Sequence, residues 1–368
     1  MSGPSNIEWT DATWNPVTGC TRVSSGCDHC YAAAMSHRLE AISLGVPKGA
    51  GDRESKLWHR YGGITGVNSR GERHFLGEVR CHEDLLEWPL RKTKPLRIFV
   101  NSMSDLFHPM VPFEFIDKVF AVMALCPQHT FQVLTKRPER MAEYLLDSRD
   151  GLGFKTDERV AAAVDEIWPW KGSHKNFIET KATGLRRWSP VWPLPNVWLG
   201  TSVEDQATAD ERIPHLLQCP AAVRFLSVEP MLGPVDVSYA LSNGDTVGVR
   251  RADVPTVDWV IVGGESGPGA RPMHPDWVRS VRDQCIAAQV PFFFKQWGEW
   301  HSGADLRDGS WNRLKQVRVC RRGHVVDLDA VNMGKHASCP NGLLNMYRVG
   351  KKAAGAMLDR KEWREWPK

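Results

Sequence analysis

The sequence lacks any long hydrophobic run. None of its 368 residues falls in an uninterrupted apolar stretch of the roughly 18 residues that a membrane-spanning helix needs. The N-terminal segment MSGPSNIEWTDATWNP has neither the basic start nor the apolar centre of a secretory signal, which predicts a cytoplasmic protein. In a reducing compartment, clustered cysteines bind metals or perform chemistry more often than they form disulfides.

A strong excess of charge of either sign is also missing. The chain has 47 Lys and Arg against 43 Asp and Glu, and the net charge of +4 is only a weak preference for polyanions. With 42% hydrophobic and 24% charged residues, the composition is that of a globular protein with one large domain or two ordinary ones. Cysteine is limited to nine residues, whereas the count of sixteen tryptophans is high.

Short apolar runs recur along the chain and most end in polar residues. They are continuously apolar rather than alternating, as is typical of parallel strands covered on both faces. Helical patterns separate most of them, and eight such units predict an α/β protein, either a (β/α)8 barrel or a partial TIM-type barrel. A doubly wound open sheet is the alternative, but it requires a glycine-rich phosphate turn after the first strand. The runs are TWNPVTG at 13, EVRC at 78, RIFVNS at 97, FQVLTK at 131, VWLGTS at 197, VRFLSVE at 223, WVIVGGES at 259 and PFFFKQ at 291.

Two stretches interrupt the alternation of predicted strands and helices, and a third stretch follows it. Residues 45–76 are rich in glycine and charge and predict an inserted loop or lid. Residues 150–195 widen the gap between the fourth and fifth strands. We therefore expect a barrel over residues 1–300 with these two insertions, and a basic C-terminal extension over residues 301–368 that packs on the barrel.

Three cysteines lie within eleven residues directly after the first predicted strand. Cys20, Cys27 and Cys30 have the spacing C-x6-C-x2-C, and Tyr31 begins the next predicted helix. Three thiolates without an evident fourth partner suit a zinc site completed by His29 or a distant residue, or a [4Fe–4S] cluster with one iron left open. Structural zinc usually has two separated ligand pairs, so the spacing favours the cluster over zinc or three packed cysteines.

Polar residues follow six successive predicted strands. The carboxyl ends of the strands build the active site in (β/α)8 enzymes, so we expect these residues to line one site. They are Asn101, Ser102 and Asp105; Thr135, Lys136 and Arg137; Thr201, Ser202 and Glu204; Ser227 and Glu229; Gly263, Gly264 and Glu265; and Lys295, Gln296 and Trp297. Cys81, at the end of the second strand, points into the site or packs as a buried strand cysteine.

Two further groups lie outside the strand pattern. Residues 168–192 interleave basic and aromatic side chains with Glu179 as their single acid, which suits a nucleic-acid surface because basic groups contact phosphates and aromatic rings stack on bases. The alternative is a solvated insertion whose tryptophans dock on the barrel. The nucleic-acid candidates are Lys171, Lys175, Arg186, Arg187 and Trp188. In the extension, a candidate second metal site, for zinc, consists of Cys320, His324, His336 and Cys339, although their gaps are not those of a standard finger.

In its strand context, the cysteine segment resembles the radical S-adenosylmethionine (SAM) superfamily. The six-residue first gap departs from the common C-x3-C-x2-C, and longer gaps occur in some branches. Along most of its length the chain resembles a phage-encoded three-cysteine-motif family, and SMSDLFHP and LTKRPE are similar to segments of spore-photoproduct-lyase-like enzymes. The matching segments are WNPVTGC, GCDHCYA, FVNSMSDLFHP, LTKRPERM, WLGTSVED, FLSVEPMLG, VIVGGESGPGARPMH, FFFKQWGEW and GKKAAGAMLDRKEW.

The resemblance implies a [4Fe–4S] cluster on the three cysteines, with SAM chelating the open iron. It implies reductive cleavage of SAM to a 5′-deoxyadenosyl radical that abstracts a substrate hydrogen, and an electron donor such as flavodoxin or ferredoxin. A cation should meet the SAM carboxylate, with Lys136 the first choice and Arg137 the second. The other expected SAM contacts are Tyr31, Ser102, Asp105, Thr135, Ser202 and Glu204, and the substrate or catalytic candidates are Glu229, Glu265, Lys295 and Cys81.

The phage family is associated with hypermodification of thymidine in phage DNA. The resemblance therefore implies an isomerase that rearranges an amino-acid-modified, glycyl-type thymidine in DNA, within the host cytoplasm. Attack on a base inside a duplex requires that base to be flipped out. The alternatives are a radical SAM lyase that repairs DNA lesions and a zinc-dependent nucleic-acid-binding protein without catalysis.

Overall fold

The computed structural model describes most of the chain as two compact units. The described residues are 2–45, 52–69, 71–146, 156–167, 177–179, 186–188, 191–242, 254–302, 314–323, 325–327 and 343–367. Unit 1 comprises Met1–Val23, Cys30–Thr201 and Gln218–Arg224, and unit 2 comprises Ser24–His29, Ser202–Leu217 and Phe225–Lys368.

Strands are short and numerous. The described strands are β1 (Gly3–Pro4), β2 (Ala12–Trp14), β3 (Val17–Thr18), β4 (Thr65–Val67), β5 (Arg73–Phe75), β6 (Arg80–Cys81), β7 (Arg97–Val100), β8 (Thr130–Thr135), β9 (Phe177–Glu179), β10 (Arg186–Trp188), β11 (Val197–Ser202), β12 (Val223–Val228), β13 (Trp259–Gly263), β14 (Phe292–Gln296), β15 (Trp300–His301), β16 (Gln316–Cys320), β17 (Val325–Asp327), β18 (Leu343–Arg348), β19 (Met357–Leu358) and β20 (Lys361–Glu362).

Helices follow most of the longer strands. The described α-helices are α1 (Tyr31–Gly45), α2 (Asp52–Tyr61), α3 (Phe113–Leu125), α4 (Pro138–Leu146), α5 (Thr156–Ile167), α6 (Gln206–Gln218), α7 (Ser238–Leu241), α8 (Pro275–Ala287) and α9 (Lys351–Ala354). Short 3-10 helices span Ser25–Cys27, Glu83–Leu85 and Pro89–Arg91. None of the described helices is both long and apolar enough to cross a membrane.

In unit 1, the strand order is β1-β2-β7-β8-β11. Strands β2, β7, β8 and β11 run parallel to one another, whereas β1 is antiparallel to β2. Val100 and Val133 are paired across β7 and β8 and are fully buried. Helix α3 is almost entirely buried and packs against α5. These strands are apolar without alternation because both faces are covered, as predicted.

In unit 2, strands β12, β13 and β14 form a parallel ladder, and β13 is buried at every residue. The antiparallel order β15-β18-β16-β17 forms a second sheet. The end of the chain packs on the parallel ladder, because the ring of Trp366 stacks on Trp259 with centroids 4.9 Å apart. The amide of Phe294 also donates to the Trp363 carbonyl at 2.9 Å. Residues beyond 301 thereby cover apolar surface of β13 and β14.

The predicted α/β architecture with parallel strands is confirmed, but a closed barrel is not shown. Neither unit, over its described residues, forms a ladder that closes on itself. The prediction that EVRC is the second parallel strand is wrong, because β6 pairs antiparallel with β3, with Cys81 opposite Val17. Both residues of β6 are only half-buried. A run with so little apolar surface is a poor candidate for a sheet covered on both faces.

The insertion predicted as a loop over residues 45–76 has regular structure where it is described. It contains α2 and the antiparallel hairpin of β4 and β5. Tyr61 and Ile64 are fully buried in one apolar cluster with Leu39 of α1 and with Met103. These two side chains anchor the segment to a shared apolar core, which its glycine and charge content did not indicate. In the second insertion, over residues 150–195, the structure describes α5 and the hairpin of β9 and β10.

Candidate functional site

In unit 1, buried polar groups join the carboxyl ends of β2 and β7. The Oδ1 atom of Asn15, directly after β2, accepts hydrogen bonds from Ser102 Oγ at 3.1 Å and from the Met103 amide at 3.0 Å. The hydroxyl of Tyr31, at the start of α1, donates to the Ser102 carbonyl at 2.6 Å. The helix that follows the cysteine segment is thus tied to the residues after β7. Asn15 was not among the predicted site residues, although it follows a strand as they do.

Asp105 accepts four hydrogen bonds from the protein. Its Oδ1 atom accepts from the Phe107 amide at 3.0 Å and from Thr135 Oγ1 at 2.7 Å. Its Oδ2 atom accepts from the Lys136 amide at 3.1 Å and from Arg137 at 2.8 Å. Because a carboxylate offers about four acceptor positions, these contacts occupy Asp105 fully. The structure therefore makes Asp105 an organiser of the ends of β7 and β8, and its predicted contact with SAM remains a prediction.

Arg137 reaches from the end of β8 to the first cysteine. Its Nη1 atom donates to Cys20 Sγ at 3.7 Å, and its Nη2 atom donates to the carbonyl and hydroxyl oxygens of Thr21 at 3.0 and 2.7 Å. Burial, together with the charge of Asp105, raises the pKa of the Cys20 thiol to about 12, although Arg137 acts in the opposite direction. Without a metal, Cys20 is therefore a protonated thiol at neutral pH.

In unit 2, a buried ion pair holds the residues that precede the second cysteine. Glu204 is completely buried, and its Oε2 atom accepts from Arg212 at 3.1 Å. Its Oε1 atom accepts from the Ser24 hydroxyl at 3.0 Å. Gly26 packs against the same side chain, since a Cβ atom there would lie 2.5 Å from Glu204 Cγ. Arg212 also donates to the Ser202 carbonyl at 2.8 Å.

A second arginine in unit 2 contacts the same turn. Arg271 binds Glu265 with its main-chain amide at 2.8 Å and with Nε and Nη2 of its side chain at 2.8 and 2.6 Å. Its Nη2 atom also donates to the Ser25 carbonyl at 2.8 Å, and Nη1 lies 3.5 Å from an Asp28 oxygen. Sequence reasoning missed both Arg212 and Arg271, because neither lies at a strand end. In the structure the Glu204 carboxylate binds Ser24 directly, and the Glu265 carboxylate binds Arg271, which in turn donates to the Ser25 carbonyl; their predicted roles toward SAM and substrate remain predictions.

Two predicted substrate residues form an ion pair of their own. Lys295 Nζ, on β14, lies 2.7 Å from Glu229 Oε1, directly after β12, and both side chains are partly exposed. Gly263 lies against Glu229, because a Cβ atom there would be 3.0 Å from its carboxyl carbon. The pair is therefore at the carboxyl ends of the unit 2 strands, where a (β/α) enzyme places its chemistry. An amine and a carboxylate in contact can hold and exchange a proton.

Cys81 lies on β6, which pairs antiparallel with β3 and is not a strand of the parallel ladder. Burial raises the pKa of the Cys81 thiol to about 11. The neighbouring His82 is buried, and its Nε2 atom is 2.9 Å from Thr18 Oγ1. The Thr18 hydroxyl donates to the Arg60 carbonyl at 2.7 Å, so His82 Nε2 is the donor toward Thr18. This hydrogen bond requires a proton on Nε2.

We expect stability to fall in mild acid because of His82. Burial, with the charge of Arg60, lowers its pKa from 6.5 to about 4. The unfolded chain therefore binds a proton that the folded protein does not, and stability present above pH 6.5 is lost as the pH falls toward 4. A His82→Gln variant should lose less stability than wild type between about pH 7 and about pH 5, measured by urea denaturation. His74→Gln, at an exposed position on β5, is the control, and equal pH profiles for His82→Gln and wild type would contradict the assignment.

Several predicted residues lie outside the described part of the chain. The undescribed segments contain Lys171, Lys175, His324, His336 and Cys339. On β10, only the backbone is described for Arg186, Arg187 and Trp188. Cys320 ends β16, is buried and is disulfide-bonded, so its sulfur is not a metal ligand in this state. The second metal site and the nucleic-acid surface therefore stay predictions.

The three clustered cysteines keep free thiols. Cys20, Cys27 and Cys30 are neither fully buried nor fully exposed. Over the described residues, no three cysteine, histidine, aspartate or glutamate side chains are grouped as ligands of a single metal ion.

Comparisons with known proteins identify a family. A search of curated proteins finds no match. Among solved structures, a spore photoproduct lyase variant with a cysteine-to-serine substitution is similar to this chain, with a TM-score of 0.36 and 10% identity over 96% of this chain and 72% of that chain. The family described as "Protein of unknown function (DUF5131)" matches residues 4–367. Since that match spans nearly the whole chain, the protein belongs to the DUF5131 family.

Proposed function

We propose that this protein is a radical SAM enzyme whose [4Fe–4S] cluster is held by Cys20, Cys27 and Cys30. The observation that carries the proposal is the cysteine segment itself, in which three free thiols lie within eleven residues after the first parallel strand. Three thiolates on three irons leave one iron for an exchangeable ligand, so the donor set fits the cluster. When bound, the cluster supplies the electron for reductive cleavage of SAM, and we propose a flavodoxin or ferredoxin as its donor.

The surrounding residues support this assignment through what they hold in place. In unit 1, Arg137 and Asp105 fix the position of the Cys20 side of the segment. In unit 2, Glu204 and Arg271 bind Ser24 and Ser25, which lie just before the second cysteine, Cys27. Within each unit these contacts restrict the part of the segment that they hold, which lowers the entropic cost of ligand binding there.

For the substrate, we propose an amino-acid-modified thymidine in DNA, which the enzyme isomerises. The resemblance of the sequence segments supports this choice, as does the basic and aromatic composition of residues 168–192. The partly exposed pair of Lys295 and Glu229 is our candidate for proton transfer next to the substrate. Glu265 is the weaker candidate, because Arg271 already binds both of its carboxylate oxygens.

Iron content tests the cofactor. Protein purified without oxygen and reconstituted with iron and sulfide should contain about four irons per chain and absorb near ~400 nm. A variant with Cys20→Ala, Cys27→Ala and Cys30→Ala should lose both signals. A matched control with Cys126→Ala, Cys219→Ala and Cys285→Ala, which removes three buried helix-associated cysteines, should retain both. Equal iron in wild type and the first variant, or zinc in place of iron, would refute the proposal.

Product analysis tests the reaction. The loaded wild-type protein with SAM and dithionite should release 5′-deoxyadenosine. When an oligonucleotide with glycyl-modified thymidine is added, the modified nucleoside should keep its mass and change its chromatographic retention. Consumption of an oligonucleotide with an ultraviolet-induced thymine lesion instead would favour the repair lyase, and nucleic-acid binding without SAM cleavage would favour the non-catalytic alternative.

A further inference from the structure

The guanidinium of Arg137 is almost completely committed to protein groups. Its side chain is 10% exposed and forms an ion pair of 2.8 Å with Asp105. Four N–H groups are directed at Asp105, at Cys20 Sγ and at the two oxygens of Thr21. Arginine has five N–H donors, so few remain for a bound carboxylate. This disfavours the expected role of Arg137 as a cation for SAM and requires another explanation for its position.

The position of the guanidinium is fixed from several directions. Asp105, which holds Arg137, is itself held by the Phe107 amide, the Thr135 hydroxyl and the Lys136 amide. The Arg137 amide in turn donates to Thr135 Oγ1 at 2.9 Å. A planar donor held in this way keeps its N–H group directed at the sulfur of Cys20 without further loss of side-chain entropy. A flexible surface cation would not maintain this direction.

We propose that Arg137 is a positioning residue that raises the reduction potential of the cluster through its N–H donation to the Cys20 sulfur. The inference rests on the proposed function, since it requires Cys20 to be a cluster ligand. Hydrogen bonds to ligand sulfurs and nearby positive charge are among the factors that set such potentials. Both favour the reduced form, which carries one more negative charge. Asp105 opposes the effect of the positive charge, but it leaves the directed N–H group in place.

Redox titration of the reconstituted protein without SAM, followed by electron paramagnetic resonance, tests the inference. In Arg137→Gln, the equilibrium constant for one-electron reduction should fall at least tenfold, which corresponds to a shift of about 59 mV toward more negative potential. Arg137→Lys keeps the charge and should shift less in the same direction. The matched control is Arg140→Gln, since Arg140 donates to the Val111 carbonyl and lies over the Phe113 ring. Its potential should equal that of wild type.

A variant of the counter-ion distinguishes tuning from a merely structural role. Asp105→Asn removes the negative charge next to Arg137 and should shift the potential in the positive direction, opposite to Arg137→Gln. Structural damage would not produce shifts of opposite sign. If Arg137→Gln does not fold, Arg137→Lys and Asp105→Asn still decide the question.

The outcomes separate the two proposals. Failure of the wild-type protein to bind iron refutes the proposed function. Full iron content in all variants, with potentials that do not differ from wild type, refutes the role of Arg137 and leaves the proposed function standing.

Discussion

Replacing Arg212 by methionine should lower the free energy of unfolding by about 3–5 kcal/mol, the cost of leaving a buried charge without its partner. The Glu204 carboxylate is 0% exposed and the Arg212 side chain 4% exposed, so neither can exchange its partner for water. Methionine keeps most of the aliphatic stem, so the measured change reports the loss of the guanidinium with its charge and hydrogen bonds. Urea denaturation followed by tryptophan fluorescence measures the change.

The control for this prediction is an exposed pair of the same type. Arg91 and Glu87 are 3.0 Å apart, but both side chains are more than half exposed. Arg91→Met should therefore cost less than about 1 kcal/mol. A double variant, Arg212→Met with Glu204→Leu, should recover most of the lost stability, because replacing both members of a buried pair by apolar groups is often neutral. Similar losses for Arg212→Met and Arg91→Met would show that the pair is not desolvated.

The second large effect is expected at Gly264, where alanine should destabilise the protein by about 3 kcal/mol, the upper end of the usual cost of overpacking. A Cβ atom there would overlap the Trp297 carbonyl oxygen and lie 2.6 Å from its carbon and 3.1 Å from the Gly298 nitrogen. These are main-chain atoms that cannot rotate away. The Gly264 amide also donates to the Gln296 carbonyl at 2.9 Å, so relief of the overlap would break a bond between strand ends.

A second glycine of unit 2 provides the comparison for Gly264. A Cβ atom on Gly233 would lie 3.5 Å from Asp205 Cβ, which is ordinary van der Waals contact. Gly233→Ala should therefore change the free energy of unfolding by less than about 0.5 kcal/mol. Equal stabilities of the two alanine variants in urea would contradict the close approach of the main chains. The main chain of Trp297 leaves no room for a Cβ atom at position 264, so the need for glycine there is explained without a bound ligand.

The parallel strands could be predicted because their signal is local. Runs such as WVIV at 259 and FFF at 292 are apolar at every position, as expected for strands that are buried on both faces. The end of β6 could not be placed in this way. Its two residues carry almost no apolar signal, and their antiparallel partner, β3, lies more than sixty residues earlier in the chain. The helix and hairpin of the first insertion were missed because their apolar side chains are few and pack with Leu39 and Met103 from other parts of the sequence.

By itself, the sequence determined which chemical groups are available and near which strand ends they occur. The spacing of Cys20, Cys27 and Cys30 is a property of eleven consecutive residues, and it needs no tertiary structure to indicate a metal-binding segment. The polar residues that follow the apolar runs can likewise be identified from short stretches of the sequence.

Only the tertiary structure decided which of these groups contact one another. Arg137 meets Cys20 across 117 residues of sequence, and Arg271 meets Ser25 across 246. An ion pair or hydrogen bond depends on distances of about 3 Å, and local periodicity carries no information about such long-range proximity. That is why the sequence could not predict that Glu204 binds Ser24 and Arg212, or that Glu265 binds Arg271.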